Sequence, residues 1–220
     1  MPRKIIGGAF LSLDGVMQAP GGPEEDPTGG FSHGGWLTGH FDEALGNQVG
    51  TLFGEPYDLL LGRKTYDIFA AHWPFMPADD PIAAGFAGIR KYVVTSSLSQ
   101  FDWQGSEALP DMDAVARLKA EDGPNLVIQG SSTLYPQLLE RGLIDRLVLM
   151  TAPVVLGTGK RLFGTGTPPG TWRLLEHRLT STGVSMGTYE PAGVVESGSF
   201  AMLDPTPQEL ARREKLAREG

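Results

Sequence analysis

The chain contains no cysteine. That absence excludes a disulfide framework, a thiolate zinc site and a cysteine nucleophile together. Its four histidines, His33, His40, His72 and His177, are scattered, with no H-E-x-x-H spacing to put two of them around a metal. No apolar run reaches the ~20 residues of a membrane span. The opening MPRKIIGGAF has a basic pair, but its apolar stretch is broken by Gly7 and Gly8. It reads as a first strand rather than a signal peptide, so a cytoplasmic location is expected. Positive charge is scarce, with 18 Lys and Arg against 26 Asp and Glu and a net charge of −8. A general nucleic-acid binder would carry a basic footprint, although a local basic pocket for a small anion is still allowed. Familiar phosphate and hydrolase fingerprints are missing too. In GTGKRLFG (157–164), Leu162 stands where G-x-G-x-x-G needs its third glycine, and Arg161 replaces the Ser or Thr of a Walker A loop. No G-x-S-x-G elbow occurs.

What is present is a strand–helix alternation. The 220 residues suit one large domain or two small ones, and a single domain of this size would bury about 70% of its unfolded surface. Apolar β-rich runs predict strands at 4–13, 57–61, 91–96, 125–130 and 145–155, with two antiparallel strands over 171–191 joined near Thr182 and Gly183. Helical spacing falls between them, at 40–53, 63–71, 111–122 and in STLYPQLLERG, with a short helix at 81–89. Pro136 lacks a backbone donor and must sit near the first turn of its helix. This order implies an α/β fold with a largely parallel sheet. Residues 14–40 are rich in glycine and proline, and so long a loop in a compact domain is usually functional or mobile. After Pro191 the character changes. Thr206, Pro207 and Glu209 form a capping box that opens a terminal helix with a thin apolar face. The expected division is a domain over 1–191 and an extension over 192–220.

The run YDLLLGRKTYDIF (57–69) leaves a buried strand through glycine, arginine and threonine. Similar exits recur at Thr95-Ser96-Ser97 and at Gly130-Ser131-Ser132-Thr133. In open α/β sheets ligands sit outside the carboxyl ends of the strands, where helix N-termini offer unpaired N–H groups suited to phosphate. Glycine permits close approach, small hydroxyls add donors, and the planar guanidinium of Arg63 can grip phosphate with two bonds. Any one exit is ordinary helix capping. Three of them, one carrying arginine and none an acid, favour a dinucleotide with a 2′-phosphate, that is, NADP rather than NAD.

DLLLGRKTYDIF resembles the strand–GRxT–helix of dihydrofolate reductases, and VIQGSSTLY resembles their glycine-rich segment. FLSLDGVM is similar to their first strand and acidic turn. LIDRLVLMTAPVVLGTGKRLF resembles more specifically the C-terminal reductase domain of the riboflavin-biosynthesis deaminase–reductase. The resemblance spans about residues 3–190 and implies a mixed, mainly parallel sheet of about eight strands flanked by helices, with NADPH as cofactor. It gives Arg63 the 2′-phosphate, with Thr95, Ser96 and Ser97 alongside. Gly62 and Thr65 would hold the pyrophosphate. Gly130, Ser131, Ser132, Thr133 and Leu134 would cradle the phosphates and nicotinamide ribose, and Phe10 would line the nicotinamide pocket. A homodimer is also implied. The deaminase partner domain has no counterpart, since its zinc site needs cysteine. Gln129 stands where dihydrofolate reductases have a second glycine.

On the substrate side, Asp42 is the candidate acid, although Asp42 and Glu43 would also serve as caps of their helix. Asp14 either touches substrate or makes a turn with Gly15. Trp36 and Phe41 either stack on a flat heterocycle or belong to the core. The basic loop of Gly157, Gly159, Lys160 and Arg161 either meets a substrate phosphate or is solvated. No metal, nucleic acid or membrane is implied. The resulting expectation is an NADPH-dependent reductase of a C=N or C=O bond in a small, pteridine- or pyrimidine-like heterocycle. The alternatives are a non-catalytic nucleotide-binding module and a phosphate-sugar enzyme without redox chemistry.

Overall fold

The computed structural model describes residues 2–77, 79–97, 100–200 and 204–219. β1 (Ile5–Leu11) leads through a long loop to α1 (Glu43–Leu52), then to β2 (Tyr57–Gly62) and α2 (Arg63–Ala70). α3 (Pro81–Ala87), β3 (Lys91–Val94), β4 (Ser106–Leu109), α4 (Met112–Ala120), β5 (Asn125–Gln129) and α5 (Leu134–Glu140) follow. β6 (Arg146–Thr151), β7 (Thr171–Leu179), β8 (Ser185–Gly193) and α6 (Pro207–Glu219) complete the chain. Among the described residues no helix is long and apolar enough to cross a membrane.

The strands form one sheet of order β4-β3-β2-β5-β1-β6-β8-β7. The first six of these positions are parallel, and β8 and β7 run antiparallel to their neighbours. Side chains alternate between faces along each strand, which explains the continuous apolar runs: both faces are covered. Ile5, Leu60, Leu126 and Ile128 pack against Val115 and Leu118 of α4 and Tyr135 and Leu138 of α5. On the opposite face Leu59, Leu61 and Val93 meet Tyr66 of α2 and Phe86 of α3, while Ile6 and Val127 meet Leu52 of α1.

The glycine pair of β1 makes this sandwich possible. A Cβ at Gly7 would stand 2.7 Å from the Tyr135 ring, and one at Gly8 would stand 2.4 Å from Leu52. Two helices therefore approach the central strand from opposite faces where any larger residue would overpack.

One strand was not legible in the sequence. β4 is four residues, SEAL, with a single buried position, too short to show a period. Strand 145–155 stops at Thr151: Ala152 still donates to Leu11 O (2.8 Å), but Pro153 has no N–H to continue the ladder. α5 begins four residues after Gly130, at Leu134, rather than directly, and Pro136 is its third residue. β8 runs to Gly193, past the expected boundary at 191. α6 is capped by Thr206, whose Oγ1 accepts from Glu209 N–H at 3.3 Å, and it buries no residue.

A charged cluster lies inside the sheet's amino-terminal end. Arg3 Nη1 donates to Asp58 Oδ2 at 2.7 Å, and Arg90 N–H donates to Asp58 Oδ1 at 3.0 Å. Lys91 is wholly buried, its Nζ donating to Gln104 O (3.1 Å) and lying 4.6 Å from the Trp103 ring centroid.

Candidate functional site

β5 is inserted between β2 and β1, so the chain order reverses there and the carboxyl ends of these strands open a crevice. A cleft of about 910 Å³ fills it. Phe10 of β1, Gly62 of β2, Val94 of β3 and Gln129 of β5 each reach its wall.

Two strand exits are braced against each other in one wall of this cleft. Gly62 N–H donates to Ser131 Oγ (2.9 Å), and Ser131 N–H donates to Thr65 Oγ1 (2.9 Å). Both hydroxyl oxygens act as acceptors in these bonds, so each keeps its own O–H proton for another partner. The brace forces an unusual backbone. Gly130 has φ +71° and Ser131, a residue with a side chain, has φ +58°. A Cβ on Gly130 would meet Thr65 Cγ2 at 3.0 Å, so glycine is required there on both counts. Gln129 in place of a second glycine is accommodated because the left-handed turn falls on Gly130 and Ser131 instead. Strain of this kind in a cleft wall is what ligand-holding loops show.

The helix starts divide into two kinds. Asp42, Asp80 and Asp111 cap α1, α3 and α4, each carboxylate accepting from an N–H of the first turn. α2 has no side-chain cap, and Gly62, Arg63, Lys64 and Thr65 all line the cleft. Its first turn thus presents open N–H groups with two cations beside the positive end of the dipole, an arrangement that an incoming anion would relieve. Arg63 Nε donates to both Asp67 carboxylate oxygens (3.2 and 3.0 Å), one turn along α2. The pair is about half exposed, and among the described residues it engages only Nε of the guanidinium. Ser132, Thr133, Leu134 and Phe41 also line the cleft.

Several expected site residues lie elsewhere. Asp42 is not on the cleft wall. Its Oδ1 caps Leu45 N–H (3.0 Å) and its Oδ2 accepts from Ser181 Oγ (2.7 Å) and N–H (3.1 Å). These bonds, that from the Ser181 hydroxyl foremost, hold the carboxyl below its ordinary range, the reverse of what a proton donor at neutral pH needs. Asp14 accepts from the N–H groups of Leu156 (3.0 Å) and Gly157 (2.9 Å), from Ser12 Oγ (2.7 Å) and from Arg161 Nη2 (3.2 Å). Led by the Leu156 bond, these contacts keep it well below the carboxylate range. It fastens a loop instead of facing the cleft. Trp36 donates Nε1–H to Gln18 O (2.8 Å) and packs into apolar clusters behind the wall. Ser96 and Ser97 are exposed, outside the wall, and Thr95 Oγ1 accepts from Ser97 N–H (3.2 Å) to shape the turn. The Gly62–Val94 register still places that turn just beyond the Arg63 exit.

The cleft also has residues that sequence reasoning passed over. The loop after β1 contributes Met17, Gln18, Glu25 and Asp26, and α2 with its following turn adds Ile68, Phe69 and Trp73. The loop is held in place by the segment after β6. Lys160 N–H donates to Gln18 Oε1 (3.0 Å), its Nζ pairs with Asp26 and bonds Thr28 Oγ1 (2.9 Å), and Arg161 Nε donates to Asp14 O (2.9 Å). The basic loop is thereby neutralised within the protein, and it is a fastening rather than an open cation pair. The one signal for this wall in the sequence was the acidic triplet Glu24-Glu25-Asp26 in the middle of the long loop.

Comparison with known proteins agrees with this architecture. By sequence the chain is 28% identical over 163 residues to YwjB of Bacillus subtilis (strain 168), covering 74% of this chain and 84% of that one. It is 26% identical over 195 residues to YyaP of the same organism, covering 85% and 94%. Both are described only as uncharacterized proteins. By structure it is similar to a riboflavin biosynthesis protein, itself so assigned provisionally, from Shewanella sp. PV-4 (TM-score 0.60, 20% identity, covering 87% and 99%). It is also similar to dihydrofolate reductase from Enterococcus faecalis complexed with NADP(H) and RAB-propyl (TM-score 0.55, 14% identity, covering 86% and 96%). These likenesses show a dihydrofolate-reductase-like fold. The sequence model of the RibD C-terminal domain matches residues 3–186, from just before β1 to the second residue of β8, and the chain belongs to that family.

Proposed function

We propose that this protein is an NADPH-dependent reductase that transfers a hydride to a C=N or C=O carbon of a small, flat heterocycle of the pteridine or pyrimidine kind. The observation that carries the reading is the uncapped start of α2, with Arg63 beside the braced Gly130–Ser131 turn in one cleft. Arg63 would take the 2′-phosphate, with Ser96 and Ser97 at the neighbouring turn. The first-turn N–H groups of α2 would take the pyrophosphate, and residues 130–134 the phosphates and nicotinamide ribose. Phe10 and Phe41 would flank the flat rings. When bound, NADPH supplies the hydride; the chain's own work is to orient it and keep water out. Family membership and the NADP(H) complex of the Enterococcus faecalis dihydrofolate reductase support the choice of cofactor.

Calorimetric titration tests it. NADPH is expected to bind at least about tenfold more tightly than NADH, a difference of ~1.4 kcal/mol or more. ADP and ATP are expected to bind more weakly than NADPH. Equal affinities for NADPH and NADH would remove the reading.

We infer also that two copies of the chain associate through β7. It is the last strand of the sheet, and Leu174, Leu175 and Leu179 are 50%, 44% and 68% exposed along it. An uncovered edge strand with apolar side chains invites pairing with another strand. Light scattering is expected to give twice the 23.6 kDa chain mass. Leu174→Arg combined with Leu179→Arg should halve it, whereas deletion of residues 192–220 should not. A dimer lost only on that deletion would move the interface to α6.

A further inference from the structure

Among the described residues only two carboxyl groups line the cleft, Glu25 and Asp26, and they are adjacent in the chain. Their surroundings differ. Asp26 is ion-paired with Lys160 and accepts from Thr28 N–H (3.2 Å). Among the described residues Glu25 has no cation partner: its Oε2 accepts from Gly21 N–H (2.7 Å), which folds the side chain back across the turn of residues 21–25. Gly21, Gly22 and Pro20 line the cleft with it, so the carboxyl stands on a closed turn of the wall and not on a free loop tip.

We propose that Glu25 is the catalytic acid of the reductase and gives its proton to the substrate nitrogen of a C=N bond. The assignment rests on the reductase reading above. The bond takes the hydride at carbon and the Glu25 carboxyl proton at nitrogen, so C=N becomes HC–NH. NADPH is oxidised to NADP⁺, and the carboxylate regains its proton from water. Among the described residues no other carboxyl group in the neighbourhood is placed for this. Asp42 caps α1, Asp14 fastens the 156–161 loop, and Asp67 holds Arg63.

The protonation behaviour of the two wall acids agrees. Burial raises Glu25 above its ordinary value, and the neighbouring Asp26 carboxylate adds to the rise, against bonds from the Gly21 and Gly22 N–H groups. Burial acts in the same direction on Asp26. There the hydrogen bonds and charge of Lys160, with Thr28, outweigh it and the group stays low. Two neighbouring acids driven apart in this way are the pattern of one proton donor and one fixed anion. The other titratable groups on the cleft wall are Arg63, Lys64 and His72, from α2 and the turn after it, and Lys160 from the loop that faces Glu25's own.

The test combines a direct titration with turnover. Carboxyl ¹³C NMR of the full chain, with Glu25→Gln to assign the signal, should show Glu25 titrating above an ordinary glutamate. NADPH oxidation is then followed with 1-pyrroline and 7,8-dihydropterin as probe imines. Glu25→Gln should lower kcat by about 10²–10⁴-fold with the NADPH Kd unchanged. The wild-type rate should fall above the pH at which the NMR signal titrates, and Glu25→Asp should restore part of it. An ordinary titration of Glu25 overturns the assignment whatever the rates. So does a Glu25→Gln variant that keeps the wild-type kcat and pH profile. A wild type that fails to bind NADPH overturns the reductase reading instead, and leaves the titration result standing.

Discussion

Arg63→Ala is expected to weaken NADPH binding by about 1.5–3 kcal/mol, the loss of a charged hydrogen-bond partner, and to leave NADH binding unchanged. In affinity that is about 10- to 150-fold, well within fluorescence or calorimetric titration. The selectivity follows from position. Arg63 is the first residue of α2, beside the open N–H groups, yet it is not needed for their geometry, which Gly62, Thr65 and Ser131 hold through their own bonds. Its ion pair with Asp67 is half exposed and of the i,i+4 kind, worth about 0.3–0.5 kcal/mol. So weak a pair cannot outcompete a doubly charged phosphate for the guanidinium. It fixes Nε and leaves the terminal groups to a ligand. Equal losses for both cofactors would assign Arg63 to the pyrophosphate and remove the 2′-phosphate role.

Asp58→Ala should have the largest effect on stability, a loss of about 3–5 kcal/mol from breaking a buried ion pair on one side only. Arg3 is 8% exposed and would keep its charge without the 2.7 Å partner. Lys91 would suffer as well. Burial already lowers its affinity for protons, and the Asp58 charge is what opposes that. The Arg90 N–H would also lose its acceptor. Replacing Arg3 and Asp58 together by methionine and leucine should recover most of the loss, since no unpaired charge then remains from the pair. Urea unfolding of the wild type and the two variants checks this. A single Asp58→Ala loss below about 1 kcal/mol, the range of surface pairs, would mean that water reaches the cluster.

Much of the architecture was legible because parallel strands covered on both faces leave a strong local signal. Leu59 to Leu61 and the run from Leu126 to Ile128 are continuous, and each helix between them carries its own periodic face. β4 was not legible, since four residues with one buried position have no pattern to detect. That the β2 and β5 exits line the cleft could be read from the sequence, because glycine and arginine at a sheet's carboxyl end are local choices. The wall built by the loop after β1 could not. Whether Asp42 meets a ligand or caps a helix depends on Ser181, 139 residues away. Whether Lys160 is an open cation depends on Asp26, 134 residues earlier.

The sequence by itself therefore determined every strand of the sheet except β4, their approximate ends, and the run of glycines, hydroxyls and Arg63 where they stop. Those features are set by residues within a few positions of one another. Only the tertiary structure decided which exits share a wall, that Ser131 and Thr65 brace each other, and that Glu25 lines the cleft while Asp14, Trp36 and Asp42 do not. The brace and the long-range bonds to Asp14 and Asp42 join residues 66 to 147 positions apart, and a carboxylate's role is fixed by the donors that reach it rather than by its neighbours in the chain.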